Sequence, residues 1–434
     1  MTRFRTVLLV CALLFTASGC ELAAPGQTES EEEVTILGTW TGPQETEFKK
    51  LLDKLDIPYE YEGTAAQREV LLSQVQAGEP PDIVIMPGLG ELAEYAHQER
   101  LEKLDDEVYK KSEYGPPWQP SGKGAEDVFW VPLRADLKSI VWHRKGTEPP
   151  KSPAPPTSWC MGMGEDGPSG WPGSDWIEDL VLQGSGPKVY EQWVRGELKW
   201  TDKPVMDAWN AWGDLLTQGK KGLAARALIA DHRGADDDSN GLLFSQKGCS
   251  LEHQGSFAPF FYTEDSARDV DFNERAKDVD FTDSADLLPR GPYGVKAHEV
   301  TGDFAALFSS SPQAKELLSK LASKEHQQTW ADDAGVFSAN NKVRSRRGGL
   351  ESEVVKRLTS EDTPRCLDAS DVMPPAVRDV FHEAILLTLT RYSEGRGKGS
   401  VKDILADVQR VQENQPKNQF ARTDVCSTPQ QPPL

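Results

Sequence analysis

The sequence predicts an α/β protein with a parallel sheet and helices on both faces. Three observations carry this. Val34 to Gly38 and Asp82-Ile83-Val84-Ile85-Met86 are apolar runs of strand length, and Tyr59 and Tyr61 alternate as in a strand. Between them lie two helical stretches. In the first, Phe48, Leu51, Leu52 and Leu55 form one face that closes at Pro58. The second runs from about Gln67 to Ala77 and stops at Gly78. Strand and helix alternate with short links, the pattern of a covered parallel sheet. Ligands of such sheets sit beyond the carboxyl ends of strands. Here those ends are Gly38-Thr39-Trp40-Thr41-Gly42, Gly63-Thr64 and Pro87-Gly88.

Further along, Lys110 to Asp127 reads as loop. Phe129 to Leu133 and Leu137 to Trp142 read as two strands meeting around Arg134-Ala135-Asp136. Pro149 to Pro156 is a stiff, extended connector. A helix is expected around Pro204 to Leu216, and the charged run Glu264 to Asp286 is expected as solvated loop. Thr301-Gly302-Asp303 leads into the apolar run Phe304 to Phe308. Ser311 and Pro312 open a helix carrying Leu317, Leu318 and Leu321. Val377, Val380, Phe381 and Ala384 mark another helix, and Val401, Ile404, Leu405, Val408 and Val411 the last. No internal repeat is visible, and the tail from Ser427 is rich in proline.

The stretch Gly170-Trp171-Pro172-Gly173-Ser174-Asp175-Trp176-Ile177-Glu178-Asp179-Leu180 carries the chemistry. Pro172 and Gly173 suggest a turn. Asp175 with Glu178 suggests an N-cap and capping box, so two indoles flank a helix start beside carboxylates. A sugar needs that mixture: flat apolar faces for its C–H surface and ionised acceptors for its hydroxyls. The competing reading packs both indoles under a loop, as large aromatics are mostly core residues.

The chain has 434 residues, enough for about two or three domains. Its 48 basic and 69 acidic residues give a formal charge of −21, which does not suit a polyanionic partner. Arg3 and Arg5 followed by the apolar run Val7 to Phe15 read as a secretory signal, too short to span a bilayer. Ala17-Ser18-Gly19-Cys20 then resembles a bacterial lipobox, in which Cys20 becomes the lipidated first residue of the mature chain. Glu21 to Glu33 is polar and acidic, a flexible tether. Besides Cys11 and Cys20, the cysteines are Cys160, Cys249, Cys366 and Cys426, an even set without zinc-ligand spacing. In an exported protein this argues for two disulfides, with three connectivities possible.

Taken together, the chain resembles the extracellular solute-binding proteins of bacterial ABC importers, in the carbohydrate branch and nearest to binders of α-glucosides. The residues that carry this are the lipobox, Gly38 to Gly42, Pro80-Pro81-Asp82-Ile83, Lys138-Ser139-Ile140-Val141-Trp142, Trp159-Cys160-Met161-Gly162 and Gly170 to Leu180 with Gly186-Pro187. Gly248-Cys249, Gly302-Asp303 and Ser370-Asp371-Val372-Met373-Pro374 complete the set.

The resemblance implies the two-lobed periplasmic-binding-protein-like fold (type II), with each lobe a sheet flanked by helices and the ligand in the cleft between them. It places crossovers near Asp136, between Gly291 and Thr301, and between Asn340 and Arg347. The division is then residues 34–135 and 295–342 in lobe one, and 136–294 and 343–434 in lobe two. After Trp142 the segment His143 to Ser158 is shorter than the family usually has, which trims one wall of lobe two. Trp40, Thr41, Asp136, Trp171, Asp175, Trp176, His253, Gln254 and Asp303 are the implied ligand contacts. Cys160 is expected to pair with Cys249, as at recurring family positions, and Cys366 with Cys426, tying the tail to lobe two. The implied partners are an oligosaccharide, permease subunits and, through Cys20 alone, the membrane. No cofactor, nucleic acid or oligomer is implied.

Other motifs are weaker. Asp236-x-Asp238-x-Asn240-Gly241 begins like a calcium loop, but its twelfth position is Lys247 rather than the bidentate Glu. There is no nucleophile elbow, no zincin motif and no P-loop. The rival readings are a binder of peptides or polyamines and a secreted glycoside-active enzyme.

Overall fold

The computed structural model describes residues 33–119, 127–165, 169–219, 221–234, 241–262, 271–288, 296–345, 347–397, 399–416 and 424–427. The signal, Cys20, the tether up to Glu32, the acidic loop Asp236 to Asn240 and the start of the second crossover, 291–295, lie outside these. Ten strands are described: β1 (Val34–Gly38), β2 (Tyr59–Gly63), β3 (Ile83–Met86), β4 (Trp130–Leu137), β5 (Ile140–Arg144), β6 (Trp159–Cys160), β7 (Leu251–His253), β8 (Val279–Asp283), β9 (His298–Leu307) and β10 (Arg365–Leu367). Among the described residues no helix is long and apolar enough to cross a membrane.

The strands form two sheets. The larger has the order β10-β9-β3-β1-β2, with β4 on β9; the smaller has the order β6-β7-β5-β8. The βαβ alternation gives parallel pairs β1/β2 and β1/β3, as expected. The sheet as a whole is mixed, however, not parallel. β9 arrives from the second half of the chain and runs antiparallel to both β3 and β4. Helices Gly42–Leu52 and Gln67–Ala77 cover the large sheet, and Gly78 ends the second in the left-handed conformation that favours glycine. Helices Trp171–Ser185, Lys203–Gln218, Pro375–Ser393 and Val401–Glu413 pack together beside the small sheet.

Three expectations are corrected. β4 does not break at Arg134-Ala135-Asp136; it runs through to Leu137, pairing Arg134 with Asp303 and Asp136 with Thr301. The chain therefore changes sheet at Lys138-Ser139, where both backbone N–H groups donate to the Glu299 carbonyl at 2.8 and 3.4 Å. Charged residues read as a break in sequence, yet here they are buried and paired with one another. Second, the charged run before Asp286 contains β8, whose Val279 and Phe281 alternate with Asp280 and Thr282. Third, the helix begins at Trp171, so Pro172 and Gly173 lie in its first turn and Asp175 lies inside it rather than capping it. Proline suits that first turn because its missing N–H would be unpaired anyway. Gly173 is required by packing, since a Cβ there would sit 2.4 Å from Ile385 Cγ2.

Both expected disulfides are present. Cys160–Cys249 joins the β6–β7 region, and Cys366–Cys426 fastens residues 425–427 along β10. β10 itself pairs with β9 in the large sheet, although its residues fall in the segment assigned to lobe two.

Candidate functional site

The crossover strands carry a charged line. Arg134 Nε stands 2.9 Å from Asp136 Oδ2 and 4.0 Å from Asp303 Oδ2. Asp136 Oδ1 accepts a 2.7 Å hydrogen bond from Ser256 Oγ, and Asp303 accepts one of 3.2 Å from Trp40 Nε1. Burial pushes the Asp303 carboxyl up to about 6 despite the neighbouring Arg134. Trp40 is 2% exposed, and Phe48 and Trp330 meet it edge-on. The expectation that its face receives a sugar is therefore corrected: packing covers the ring, and only Nε1 reaches Asp303. Thr41 is exposed just before helix Gly42–Leu52.

The second group gathers on the small sheet and the helix Trp171–Ser185. Trp171, Asp175, Trp176, His253 and Gln254 line one recess of about 10 Å³, together with His232, which the sequence reading did not single out. Five positions expected from sequence thus converge, although they come from two stretches some eighty residues apart. Their roles differ. Trp171 is half-buried, donates from Nε1 to Glu165 Oε2 at 2.7 Å, and meets His232 and Phe257 edge-on. Trp176 is 2% exposed and wedged between Trp159 and His253. That corrects its role as an open platform; it is the wall behind the recess.

Lys138 connects this recess to the crossover. Its Nζ stands 2.8 Å from Asp175 Oδ2, 3.1 Å from Asp368 Oδ2 and 5.2 Å from the centre of the Trp171 ring. Burial disfavours the ammonium, yet Asp175, Asp368, Asp371 and Glu299 more than offset this and hold it well above the usual lysine value. Around it the acids are split. Burial raises Asp175 to about 6 and Asp371 to about 8, and drives Glu178 and Glu299 well up. Asp368 is buried too, but Lys138 and the bonds it accepts hold it below the ordinary value.

Carboxylate oxygens of Asp175, Glu299 and Asp368 lie within 4.8 Å of one another, a donor set that suits a hard cation. The Lys138 ammonium already contacts two of the three. The charge a metal would bring is thus supplied by the chain itself.

A wider groove of about 790 Å³ lies between helix Gly42–Leu52 and the helix Phe272–Arg275 that leads into β8. Glu47, Lys50, Asp271, Asp332, Asp333 and Arg347 are among its charged walls. Its Trp330 abuts Trp40, with ring centres 5.0 Å apart. The volume falls within the range of small-molecule sites.

Arg134, Lys138, Asp179 and His232 are the residues the sequence reading missed. Lys138 and Asp179 stood within the motifs but were given no role. Each is charged or polar and sits in a stretch whose burial depends on segments far along the chain.

The profile of the family described as "Bacterial extracellular solute-binding protein" matches residues 33–328. The "Osmoprotective compounds-binding protein" of Synechocystis sp. is 27% identical over 409 residues, covering 87% of this chain and 93% of that protein. The "Alpha-glucosides-binding periplasmic protein" of Rhizobium meliloti is 30% identical over 296 residues, covering 59% and 63%. Among solved structures, a "Chitin oligosaccharide binding protein" superposes with a TM-score of 0.67 at 17% identity, covering 88% of this chain and 98% of that one. A "cyclic alpha-maltosyl-1,6-maltose binding protein" from Arthrobacter globiformis gives 0.55 at 14% identity, with 88% and 98% covered. At these identities the structures speak for the two-lobed fold alone. With its two sheets, its strand crossover and a profile match over most of its length, this chain belongs to the bacterial extracellular solute-binding protein family.

Proposed function

We propose that this protein captures an α-glucoside-like oligosaccharide of the maltose or trehalose type outside the cell and delivers it to an ABC permease. It does no chemistry on the sugar. Lipidated Cys20 holds it to the outer face of the membrane as a monomer. The lobes comprise residues 34–135 with 295–342, and 136–294 with 343–434. They close by a hinge motion about the crossover beside Lys138. The ligand contacts are Trp171, Asp175, His253, Gln254, Asp136 and Asp303, with Thr41 at the rim; Trp40 and Trp176 act by packing behind them.

The observation that carries this reading is the convergence of Trp171, Asp175, His253 and Gln254 on one recess beside the crossover. The α-glucoside binder among the relatives agrees with it. A thermal-shift panel of maltose, trehalose, peptides, polyamines and osmoprotectants such as glycine betaine tests it. A ligand that binds only the folded state raises the melting temperature. A rise with maltose or trehalose is expected. A rise with peptides, amines or betaine and none with either sugar would overturn it.

A further inference from the structure

The recess under Trp171 holds two buried acceptors that have no protein partner. His253 Nε2 lies 2.8 Å from Asp179 Oδ2, with both side chains almost wholly buried. A carboxylate only accepts, so the proton sits on Nε2. Asp179 is suited to enforce this. Burial works against its charge, but the bonds from His253 and Gln183 outweigh it and hold the carboxyl below its ordinary value. Ser139 Oγ, at the crossover, donates to the same carboxylate at 2.9 Å. In the neutral ring His253 Nδ1 is then a bare lone pair, and it has no partner. Gln254 Nε2 faces the His232 carbonyl at 3.5 Å, and Gln254 Oε1, an acceptor by nature, is unpartnered too. Both residues line the recess, whose volume of about 10 Å³ suits one water-sized group. Buried acceptors left unpaired are costly, so the site favours an occupant that donates.

Resting on the sugar-binding reading above, we propose that this recess is a subsite for a single hydroxyl of the ligand, which donates to His253 Nδ1 beside Gln254 Oε1. Asp179 is the positioning residue that fixes the His253 tautomer. The subsite therefore selects a free hydroxyl and rejects the same sugar with that hydroxyl methylated or removed. It also ties ligand recognition to the crossover, because the carboxylate that sets the tautomer also holds Ser139.

Nitrogen NMR of the full chain labelled with 15N-histidine tests this, with His253→Gln to assign the signal. In the free protein His253 is expected as the Nε2–H tautomer with a bare Nδ1. Saturation with maltose or trehalose, whichever raises the melting temperature, should move the Nδ1 resonance upfield into the hydrogen-bonded range. Asp179→Asn should mix the tautomers and weaken that sugar about tenfold, and Gln254→Leu should weaken it without altering the tautomer. A protonated Nδ1 in the free protein would overturn the proposal. An Nδ1 signal left unmoved by a sugar that does raise the melting temperature would overturn it equally, leaving only water in the recess. If neither sugar raises the melting temperature, the sugar reading fails and the hydroxyl subsite falls with it; the free-protein spectrum still tells that failure from a wrong tautomer.

Discussion

Lys138 Nζ, at the change from one sheet to the other, stands 2.8 Å from Asp175 Oδ2 in the helix that carries both indoles. Asp368 completes the clamp at 3.1 Å. All three side chains are buried, so neither charge has water to fall back on. A buried pair contributes little net stability over an apolar replacement, but removing one member is expensive.

Lys138→Met is accordingly expected to destabilise the fold by about 3–5 kcal/mol at pH 7. Without the ammonium, Asp175, already above its unfolded value, rises further, and Asp368 rises above its own. The folded variant then binds more protons than the unfolded chain, and its stability falls as pH rises. The deficit should therefore shrink at pH 5. Lys138 itself stays charged in both states across this range. Urea unfolding at the two pH values is the measurement, and equal deficits would refute the electrostatic account.

Glu252 offers a cleaner pH test, away from the clamp. It is fully buried; Oε2 accepts from Leu243 N at 2.6 Å and Oε1 has no partner. Burial raises its pKa from 4.5 to about 8. Its contribution is thus fully present below pH 4.5 and is lost as pH rises through 8. Glu252→Gln, which mimics the protonated form, should match the wild type near pH 4. At pH 9 it should be more stable by roughly 4–5 kcal/mol. Denaturant midpoints at the two pH values decide it: parallel curves would mean Glu252 does not titrate there.

The two indoles of the recess should separate cleanly on truncation. Trp171→Ala removes a half-exposed ring and should cost about 1–3 kcal/mol of sugar affinity with little loss of stability. Trp176→Ala hollows the wall between Trp159 and His253 and should cost about 3–5 kcal/mol of stability. Calorimetry beside urea unfolding reads both. Equal stability losses would mean that Trp171 is also core.

How far the sequence reached depends on how local each signal was. The β1 to β3 alternation and the helix stop at Gly78 are written in neighbouring residues, and they were legible. The antiparallel insertion of β9 beside β3 was not, because nothing near Phe304 states which strand it meets. Arg134 and Asp136 looked like a break for the same reason: their partners, Asp303 and Ser256, lie far along the chain. The recess was legible in part. Trp171 and Asp175 announced themselves by type and spacing. Asp179 differs from any solvated helix acid through its distant partners His253 and Ser139, which a single sequence does not place.

Cys20→Ala should release the protein into the soluble fraction while leaving the sugar-induced rise in melting temperature unchanged. The lipobox at Ala17-Ser18-Gly19-Cys20 and the polar run after it motivate this, since anchor and body are separated. Fractionation of cells expressing the variant is the check, and a variant still found in membranes would refute lipid anchoring.

The second disulfide gives the last test. Cys366 and Cys426 have their Cα atoms 4.0 Å apart and are separated by 60 positions. Beside the bridge, Leu367 N donates to Val425 O at 2.8 Å and Ser427 N to Arg365 O at 2.7 Å. Residues 425–427 thus lie along β10 as a short extra strand, covering an edge that would otherwise be free to pair elsewhere. Val425 is fully buried in that position. Opening the loop in the double variant Cys366→Ala and Cys426→Ala should cost about 4 kcal/mol in the chain-entropy account. The two backbone bonds remain possible, but holding them then requires closing the whole segment without a covalent tie. Amide exchange at Leu367 and Ser427 should accelerate far more than at Ile83 in β3. Unchanged exchange at Leu367 would show that Val425 and the backbone pairs hold the tail by themselves.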